Sequence, residues 1–159
     1  MVYEEKPEGF DPKLHVVGCF VENARGEILF LQRNAAKSYG NTWGTPAGKV
    51  DGGESLAEAI KREVCEETGL DKPVEDFHFL KTGFVKDGGT RIVYHKFRLY
   101  LDEEPTVTLS PTEHTNYVWV TPQDALCLDL IHDEDVFIKM FYPLLETDVK
   151  GQAFARQWG

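Results

Sequence analysis

Residues 48–70 read GKVDGGESLAEAIKREVCEETGL, and this stretch decides the fold. Its second half predicts a helix from about Ser55 to Thr68. Ser55 and Glu58 have the spacing of a capping box, and Gly69 is the residue type that commonly ends a helix. The glycines ahead of the helix predict a tight loop that leads into it.

The predicted helix carries glutamates where a helix selected only for stability would not. At about 100° per residue, Glu63 and Glu67 fall on the apolar face and Glu66 falls at its edge. Carboxylates three or four residues apart repel, and carboxylates in the last turn oppose the helix dipole. A solvated acidic face is the ordinary alternative. A hard divalent cation, which takes oxygen ligands, explains the arrangement more economically.

The same stretch matches the complete Nudix box, GX5EX7REUXEEXGU, in which U is aliphatic. Val64 and Leu70 fill the aliphatic places, and chance agreement at every fixed position is negligible. The fixed identities are Gly48, Glu54, Arg62, Glu63, Glu66, Glu67 and Gly69. The chain therefore resembles a MutT-like Nudix hydrolase. This resemblance implies an α+β Nudix fold, a mixed β-sheet sandwiched between helices (α/β/α).

The resemblance also implies roles for the box residues. Glu63, Glu66 and Glu67 would bind a divalent metal, with the carbonyl of Gly48 as a further ligand that also approaches the substrate. Arg62 would hold the box carboxylates in place, and Glu54 would bond back into the loop. Glu63 is favoured as the general base or as the holder of the metal that positions the base. The predicted catalytic residues are Glu63, Glu66, Arg62 and Glu113.

Two residues outside the box resemble functional residues of the family. Glu113, six positions before Trp119, resembles an extra metal ligand or base, and a surface loop glutamate is the equal alternative. Arg33 resembles the arginine that contacts substrate phosphate, and an edge-strand salt bridge is its alternative. Ala47 departs from the Pro-Gly-Gly of many members but leaves Gly48 intact.

The rest of the chain predicts a single domain around this loop and helix. Residues 1–13 are expected to form an N-terminal arm or edge segment, and residues 14–159 the domain. Leu14–Asn23 and Gly26–Arg33 predict a hairpin, and residues 34–53 a long loop. Further strands are predicted at 77–85, 91–101 and 116–120, a short helix after Thr121, and a last helix from Asp133 to about Glu146.

Composition excludes several classes of function. The chain has 159 residues, with 17 basic and 27 acidic side chains, so its net charge of -10 argues against polymeric nucleic acid and anionic membranes. Three scattered cysteines, no signal peptide and no long apolar run predict a cytoplasmic protein. The apolar stripe of the last helix suits core packing or a dimer, so monomer and homodimer both stay open.

The resemblance implies hydrolysis of a nucleoside diphosphate linked to another group, with Mg²⁺, or alternatively Mn²⁺, as the cofactor. The favoured substrate is a nucleoside 5′-triphosphate, including oxidised forms, because the added motifs of NADH, ADP-ribose and diadenosine-polyphosphate hydrolases are absent. The alternatives are ADP-ribose, a nucleotide sugar, or a nucleotide-sensing module without activity. Aromatic residues in such strands and loops more often belong to the core, but some could stack on a base. The candidates are Tyr39, Trp43, Phe84 and Tyr117.

Overall fold

The computed structural model describes residues 1–142. Within them, eight strands form one mixed sheet and three α-helices cover it. The strands are β1 (Val2–Tyr3), β2 (Leu14–Asn23), β3 (Ile28–Arg33), β4 (Trp43–Gly44), β5 (Ala47–Lys49), β6 (Phe77–Asp87), β7 (Thr90–Leu101) and β8 (His114–Val120). The helices are α1 (Leu56–Thr68), α2 (Pro122–Ala125) and α3 (Glu134–Phe141).

Strand β2 lies at the centre of the sheet, and its pairing differs from the predicted hairpin. It runs parallel to β7 along its whole length, from Leu14 opposite Ile92. It meets β3 only at the turn, where Glu22 pairs with Ile28. Strand β5 occupies the edge of β2 that a hairpin partner would take, so β3 diverges and pairs with β8 instead.

The predicted loop over residues 34–53 contains two short strands, β4 and β5. Strand β4 pairs with β3, and β5 pairs with β2 through Gly48 opposite Val17. Strands of two or three residues have no periodicity of their own and form because an existing sheet edge offers backbone partners. The prediction of an unbroken loop was therefore wrong.

The first residues dock on the edge of the sheet. Val2 and Tyr3 pair with Val85 and Phe84 of β6. Phe10 is buried and packs edge-on against the ring of Phe84. The segment predicted as an arm thus lies against the domain as its edge strand.

The two faces of the sheet carry separate apolar clusters, which confirms the layered α/β/α architecture. Helix α1 buries Ile60 and Val64 against odd-numbered residues of β2 and β7. Helices α2 and α3 cover the opposite face, where Phe137 and Phe141 pack around Phe20. Alternation along each strand divides the apolar residues between the two clusters.

The helix ends follow the predicted signals. The Ser55 hydroxyl accepts the amide of Glu58, and Gly69 closes α1 in the left-handed conformation. The Thr121 hydroxyl accepts the amide of Asp124 at the start of α2. The predicted part of the last helix beyond Tyr142 lies outside the described residues. None of the helices described in residues 1–142 has the length and apolar character to cross a membrane.

Candidate active site

Strand β5 brings the backbone of Gly48 against the middle of helix α1. A Cβ atom at Gly48 would overlap the carboxyl group of Glu63, so only glycine allows this approach. Glu63 is partly buried, and this burial raises the pKa of its carboxyl, with Arg62 acting in the opposite direction. The loop and the helix thus meet at one carboxylate.

Arg62 joins the loop to the helix through both ends of its guanidinium. Nε and Nη2 donate to the two carboxylate oxygens of Glu54 at 3.0 and 2.6 Å, and Nη2 also donates to the Lys49 carbonyl. Nη1 donates to Oε1 of Glu63 at 2.8 Å and to Oε2 of Glu66 at 3.4 Å. The Arg62 bond and the Asp51 amide together lower the pKa of Glu54 to about 2. This charged fork fixes the loop on the helix.

Glu67 is the buried carboxylate of the site. Its side chain is 11% exposed, and its Oε1 accepts the backbone amide of Ala47 at 2.7 Å. Burial, together with the charges of Glu63 and Glu113, raises the pKa of Glu67 to about 8. The bond from Ala47 uses only its backbone, so alanine serves at the position where many family members have glycine.

The carboxylates of Glu63, Glu66 and Glu67 do not point toward one common position in this structure. Within residues 1–142, no three side chains of His, Cys, Asp or Glu come close enough together to hold a metal ion. The physical reason is Arg62, which draws the carboxylates of Glu63 and Glu66 toward itself, while Glu67 turns to the amide of Ala47. Glu66 is also 58% exposed, so its carboxylate is free to reorient.

The chemistry of these side chains nevertheless suits a hard divalent cation. Carboxylate oxygens are the ligands that Mg²⁺ prefers. Glu67 is buried, and among the described residues neither Lys nor Arg lies within ion-pair distance of it. A cation beside Glu67 would supply the missing charge and lower its raised pKa.

Glu113 lies on the loop before β8, beside the box. Its carboxylate contacts Nζ of Lys37 at 3.0 Å and is 45% exposed, and its charge acts on the pKa of Glu67. The structure thus brings Glu113 to the edge of the site, with Lys37 as its present partner.

Arg33 ends β3 and faces the same region. Its Nε donates to the Ser38 carbonyl at 2.9 Å, and no carboxylate of the described residues lies within salt-bridge distance. Its charge acts on Glu67 and on His114. The predicted alternative of an edge-strand salt bridge is therefore not what the described part of the chain contains.

His114 lines the cavity beside the box, although no motif in the sequence assigns it a role. It is buried, and its Nδ1 lies 3.9 Å from Oε2 of Glu67, too far for a hydrogen bond. Burial and the Arg33 charge lower the pKa of His114, which keeps the ring neutral. Its position directly after Glu113 was the only signal available in the sequence.

A cavity of about 280 Å³ opens beside the box, on the face of the sheet that α3 covers. Gly48, Glu67 and Arg33 line one part of it, and Tyr39 and Asp87 another. Tyr39 is the one predicted stacking residue in this lining. The other three lie elsewhere: Trp43 packs into the core near α3, Phe84 against Phe10, and Tyr117 is exposed on β8.

A buried polar network below the cavity was also missed by the sequence. Lys96 is fully buried, and its Nζ donates to Thr45 at 2.8 Å and to Glu134 at 3.3 Å. The Thr45 hydroxyl donates to the same Glu134 oxygen at 2.9 Å. Thr45, Lys96 and Glu134 lie far apart in the sequence, and residues of these polar types are usually found at the surface, so no pattern predicts the network.

Comparison with known proteins agrees with this geometry. The model of the NUDIX domain family matches residues 12–143. CTP pyrophosphohydrolase of Escherichia coli (strain K12) is 29% identical over 133 residues, which is 82% of this chain and 93% of that protein. The crystal structure of the MutT protein from Methanosarcina mazei Go1 superposes with a TM-score of 0.69 at 27% identity, covering 86% of this chain and 97% of that one.

A more local match is to an 8-oxo-dGDP phosphatase of Danio rerio. It is 40% identical over 57 residues, which is 36% of this chain but only 17% of that protein. This match therefore covers only a small part of the length of that relative. The family model, by contrast, covers most of this chain, and Arg62 of the box bonds to three other box residues, Glu54, Glu63 and Glu66. The chain therefore belongs to the Nudix hydrolase family, whose enzymes act on phosphoric anhydride bonds.

Proposed function

We propose that this chain is a Mg²⁺-dependent pyrophosphohydrolase that converts a nucleoside 5′-triphosphate, including oxidised forms, to the monophosphate and pyrophosphate. One observation carries the proposal. Glu67 is buried with no lysine or arginine of the described residues within ion-pair distance, and it lines a cavity together with Gly48 and Arg33. A carboxylate so placed suits a cation and phosphates that arrive together.

The relatives support a nucleotide substrate. The relative matched over most of its length is named a CTP pyrophosphohydrolase, and the one matched around the box is named an 8-oxo-dGDP phosphatase. Both names describe a nucleotide with at least two phosphates. The extended motifs of the ADP-ribose and dinucleotide hydrolases are absent from this sequence, which favours a triphosphate for this chain.

The residues that would hold the metal are the Gly48 carbonyl and the carboxylates of Glu63, Glu66, Glu67 and Glu113. A divalent cation bound there would neutralise phosphate charge and lower the pKa of bound water. Arg62 orients Glu63 and Glu66 from one side. Arg33, which has no carboxylate partner in the described part of the chain, would bind a substrate phosphate.

Glu63 is our first choice for the group that accepts the proton of the attacking water, and Glu113 is the second. Glu63 lies against Gly48, which lines the cavity, and burial raises the pKa of its carboxyl, as a general base requires. Glu113 is more exposed and is held by Lys37. The two are separated by comparing the pH dependence of Glu63→Gln and Glu113→Gln.

The test is release of phosphate and pyrophosphate from a nucleotide panel that includes ADP-ribose, nucleotide sugars and 8-oxo-dGTP, with Mg²⁺, with Mn²⁺, and with EDTA. We expect turnover of triphosphates with metal only, and a loss of at least about 100-fold in kcat/KM for Glu67→Gln. Glu58→Gln, an exposed glutamate on the first turn of the same helix, is the matched control. Nucleotide binding without turnover on every substrate would mean a sensing module, and unchanged turnover in Glu67→Gln would contradict the metal assignment.

A further inference from the structure

Strands β3 and β8 do not keep one register along their length. Gln32 pairs with Asn116, but the next residue of β3, Arg33, pairs with His114. Thr115 is therefore an extra residue in β8, which is the arrangement of a β-bulge. Bulges change the direction of the side chains beyond them and are frequent beside functional sites. The side chain that this bulge redirects is that of His114.

The bulge turns His114 toward helix α1. Val118 packs in the cluster under α3, and every second side chain of a regular strand points to the same side. An unbroken β8 would therefore point His114 to that side as well. Opposite Arg33 instead, His114 has its Nδ1 3.9 Å from Oε2 of Glu67, which lies on α1. The extra residue is thus what brings the ring to Glu67.

The ring nitrogen that faces Glu67 lacks a hydrogen bond. The His114 side chain is 7% exposed, and its Nδ1 is buried with no hydrogen-bond partner among the described residues. Most buried polar atoms in folded proteins have a partner, because an unsatisfied one destabilises the fold. A bond between nitrogen and oxygen needs about 3 Å, so the two atoms are about 1 Å too far apart. A small movement of either side chain closes this gap.

Glu67 has an oxygen that can accept this bond. Its Oε1 accepts the Ala47 amide, and within the described part of the chain Oε2 accepts no hydrogen bond. Each oxygen of an ionised carboxylate has two acceptor positions, so Oε2 can accept a hydrogen from His114 and still bind a cation. Burial and the charge of Arg33 lower the pKa of His114, so its ring is neutral and carries one N–H to donate.

We propose that His114 is a positioning residue, whose Nδ1–H donates to Oε2 of Glu67 when this carboxylate binds the divalent cation. The bond fixes the carboxylate in one orientation, with the Ala47 amide holding its other oxygen. Hydrogen bonds to a metal-ligating side chain typically contribute about 10- to 100-fold to metal affinity. The inference rests on the proposed function, because it takes Glu67 to be a metal ligand.

The first test measures the affinity for Mn²⁺ by electron paramagnetic resonance, with no nucleotide present. His114→Leu removes both ring nitrogens, and we expect it to bind Mn²⁺ at least about 10-fold more weakly. His114→Asn places its amide nitrogen close to the position of Nδ1 and should recover most of this affinity. A His114→Leu protein that binds Mn²⁺ as the wild type does, or a loss that asparagine does not recover, overturns the inference.

A purely structural role of His114 predicts a different result. Replacing a buried polar atom that has no partner by an apolar group costs little stability. We therefore expect His114→Leu in EDTA to unfold at the same urea concentration as the wild type or a higher one, although its metal affinity falls. A lower urea midpoint together with wild-type affinity for Mn²⁺ would show that the ring is only structural.

Nuclear magnetic resonance of ¹⁵N-labelled histidine shows which ring nitrogen carries the hydrogen. With Mg²⁺ bound, we expect the hydrogen of His114 on Nδ1, where it can reach Glu67. A hydrogen on Nε2 alone overturns the inference, because Nδ1 then has nothing to donate.

These measurements separate the role of His114 from the proposed hydrolysis, since none of them requires turnover. Wild-type protein that binds no Mn²⁺ contradicts the metal site itself, and this inference with it. Equal binding by the wild type and His114→Leu contradicts only the role of His114. His78→Leu, which changes an exposed histidine on β6, is the control and should bind Mn²⁺ as the wild type does.

Discussion

Glu67 is the residue at which stability and function conflict. Its pKa is raised from 4.5 to about 8, so in the metal-free protein the folded chain holds a proton that the unfolded chain releases. Stability therefore falls as the pH rises from about 4.5 to about 8. Below pH 4.5 both states are protonated and the penalty disappears.

We expect Glu67→Gln to stabilise the metal-free protein at pH 7 while removing its activity. Glutamine has the same shape, keeps the acceptor for the Ala47 amide and never ionises. The gain in the free energy of unfolding should be about 3 kcal/mol at pH 7 and near zero at pH 4. Urea denaturation in EDTA at both values of pH measures it.

The control for this prediction is Glu66→Gln, because the side chain of Glu66 is 58% exposed. It should shift the free energy of unfolding far less than Glu67→Gln does. A Glu67→Gln protein that is no more stable than the wild type at pH 7 would show that Glu67 carries no buried-charge penalty.

Gly48 matters to the site because it has no side chain, which lets its backbone lie against Glu63. In Gly48→Ala the added methyl group would meet the carboxyl group of Glu63 and displace it from the loop. We expect the chain to fold and the apparent affinity for Mg²⁺ to fall by at least about 10-fold, since one displaced ligand of a metal site has effects of this size. Titration of Mg²⁺ against turnover and against thermal unfolding measures the change.

Gly52→Ala is the matched control in the same loop, because a Cβ atom at Gly52 meets no atom within 4 Å and its φ is not positive. It should bind Mg²⁺ as the wild type does. Equal Mg²⁺ affinity in the two variants would mean that the contact between Gly48 and Glu63 does not matter for the metal.

At the scale of elements, the loop and helix α1 act as one unit because Arg62 spans them. Its guanidinium holds Glu54 with two nitrogens, the Lys49 carbonyl with one of these, and Glu63 with the third. Because the same arginine also bonds to Glu63 and Glu66, it would compete with a cation for these two carboxylates. The loop and the helix are thus held together without a metal.

We expect Arg62→Lys to loosen the loop without unfolding the helix. A lysine carries one nitrogen in place of three and cannot make these bonds together. Hydrogen exchange of amides in residues 48–54 should quicken, whereas that of the middle of α1 should change little. The Mg²⁺ concentration for half-maximal turnover should change by about 10-fold or more.

Lys61→Gln is the control for this change, since Lys61 lies on the same helix but pairs with Asp71 on its outer side. It should leave both measurements as in the wild type. Slow exchange in the loop of Arg62→Lys would contradict the bracing role that we assign to the arginine.

At the scale of the whole molecule, a buried ion pair ties the sheet to the layer that α3 forms. Lys96 of β7 and Glu134 of α3 are 0% and 4% exposed at their side chains, and Thr45, between β4 and β5, bonds both. Burial lowers the pKa of Lys96, and the charge of Glu134 opposes this shift. The pair stands at the floor of the cavity, where loop, sheet and helix meet.

We expect Lys96→Met to cost about 3 to 5 kcal/mol in the free energy of unfolding, because it leaves Glu134 buried without its cation. Adding Glu134→Gln should recover a substantial part of that loss, since no uncompensated charge then remains. Urea denaturation of the wild type, both single variants and the double variant completes the cycle. Strictly additive losses would show that the two side chains do not depend on each other.

The glutamate-rich helix, its capping and its place in the Nudix box could be predicted from the sequence alone, and so could the layered fold. Each of these depends on short spacings: Ser55 and Glu58 at the helix start, and Glu63 and Glu67 one turn apart. The acidic composition likewise pointed to a cation. The residues of such a pattern interact with each other over three or four positions, so the pattern can be recognised without knowing any contact between distant segments.

Only the tertiary structure decided which strands pair, how the candidate site residues are arranged, and where the cavity lies. The parallel match of β2 with β7 joins residues far apart in sequence, and β5 occupies the edge of β2 that the predicted hairpin would have used. The same is true of the cavity, whose lining includes Gly48 on β5 and Asp87 on β6, three strand spacings apart in the sheet. Pairing energies between remote segments depend on the edges that other segments leave open, and that competition is settled only when the whole chain has folded.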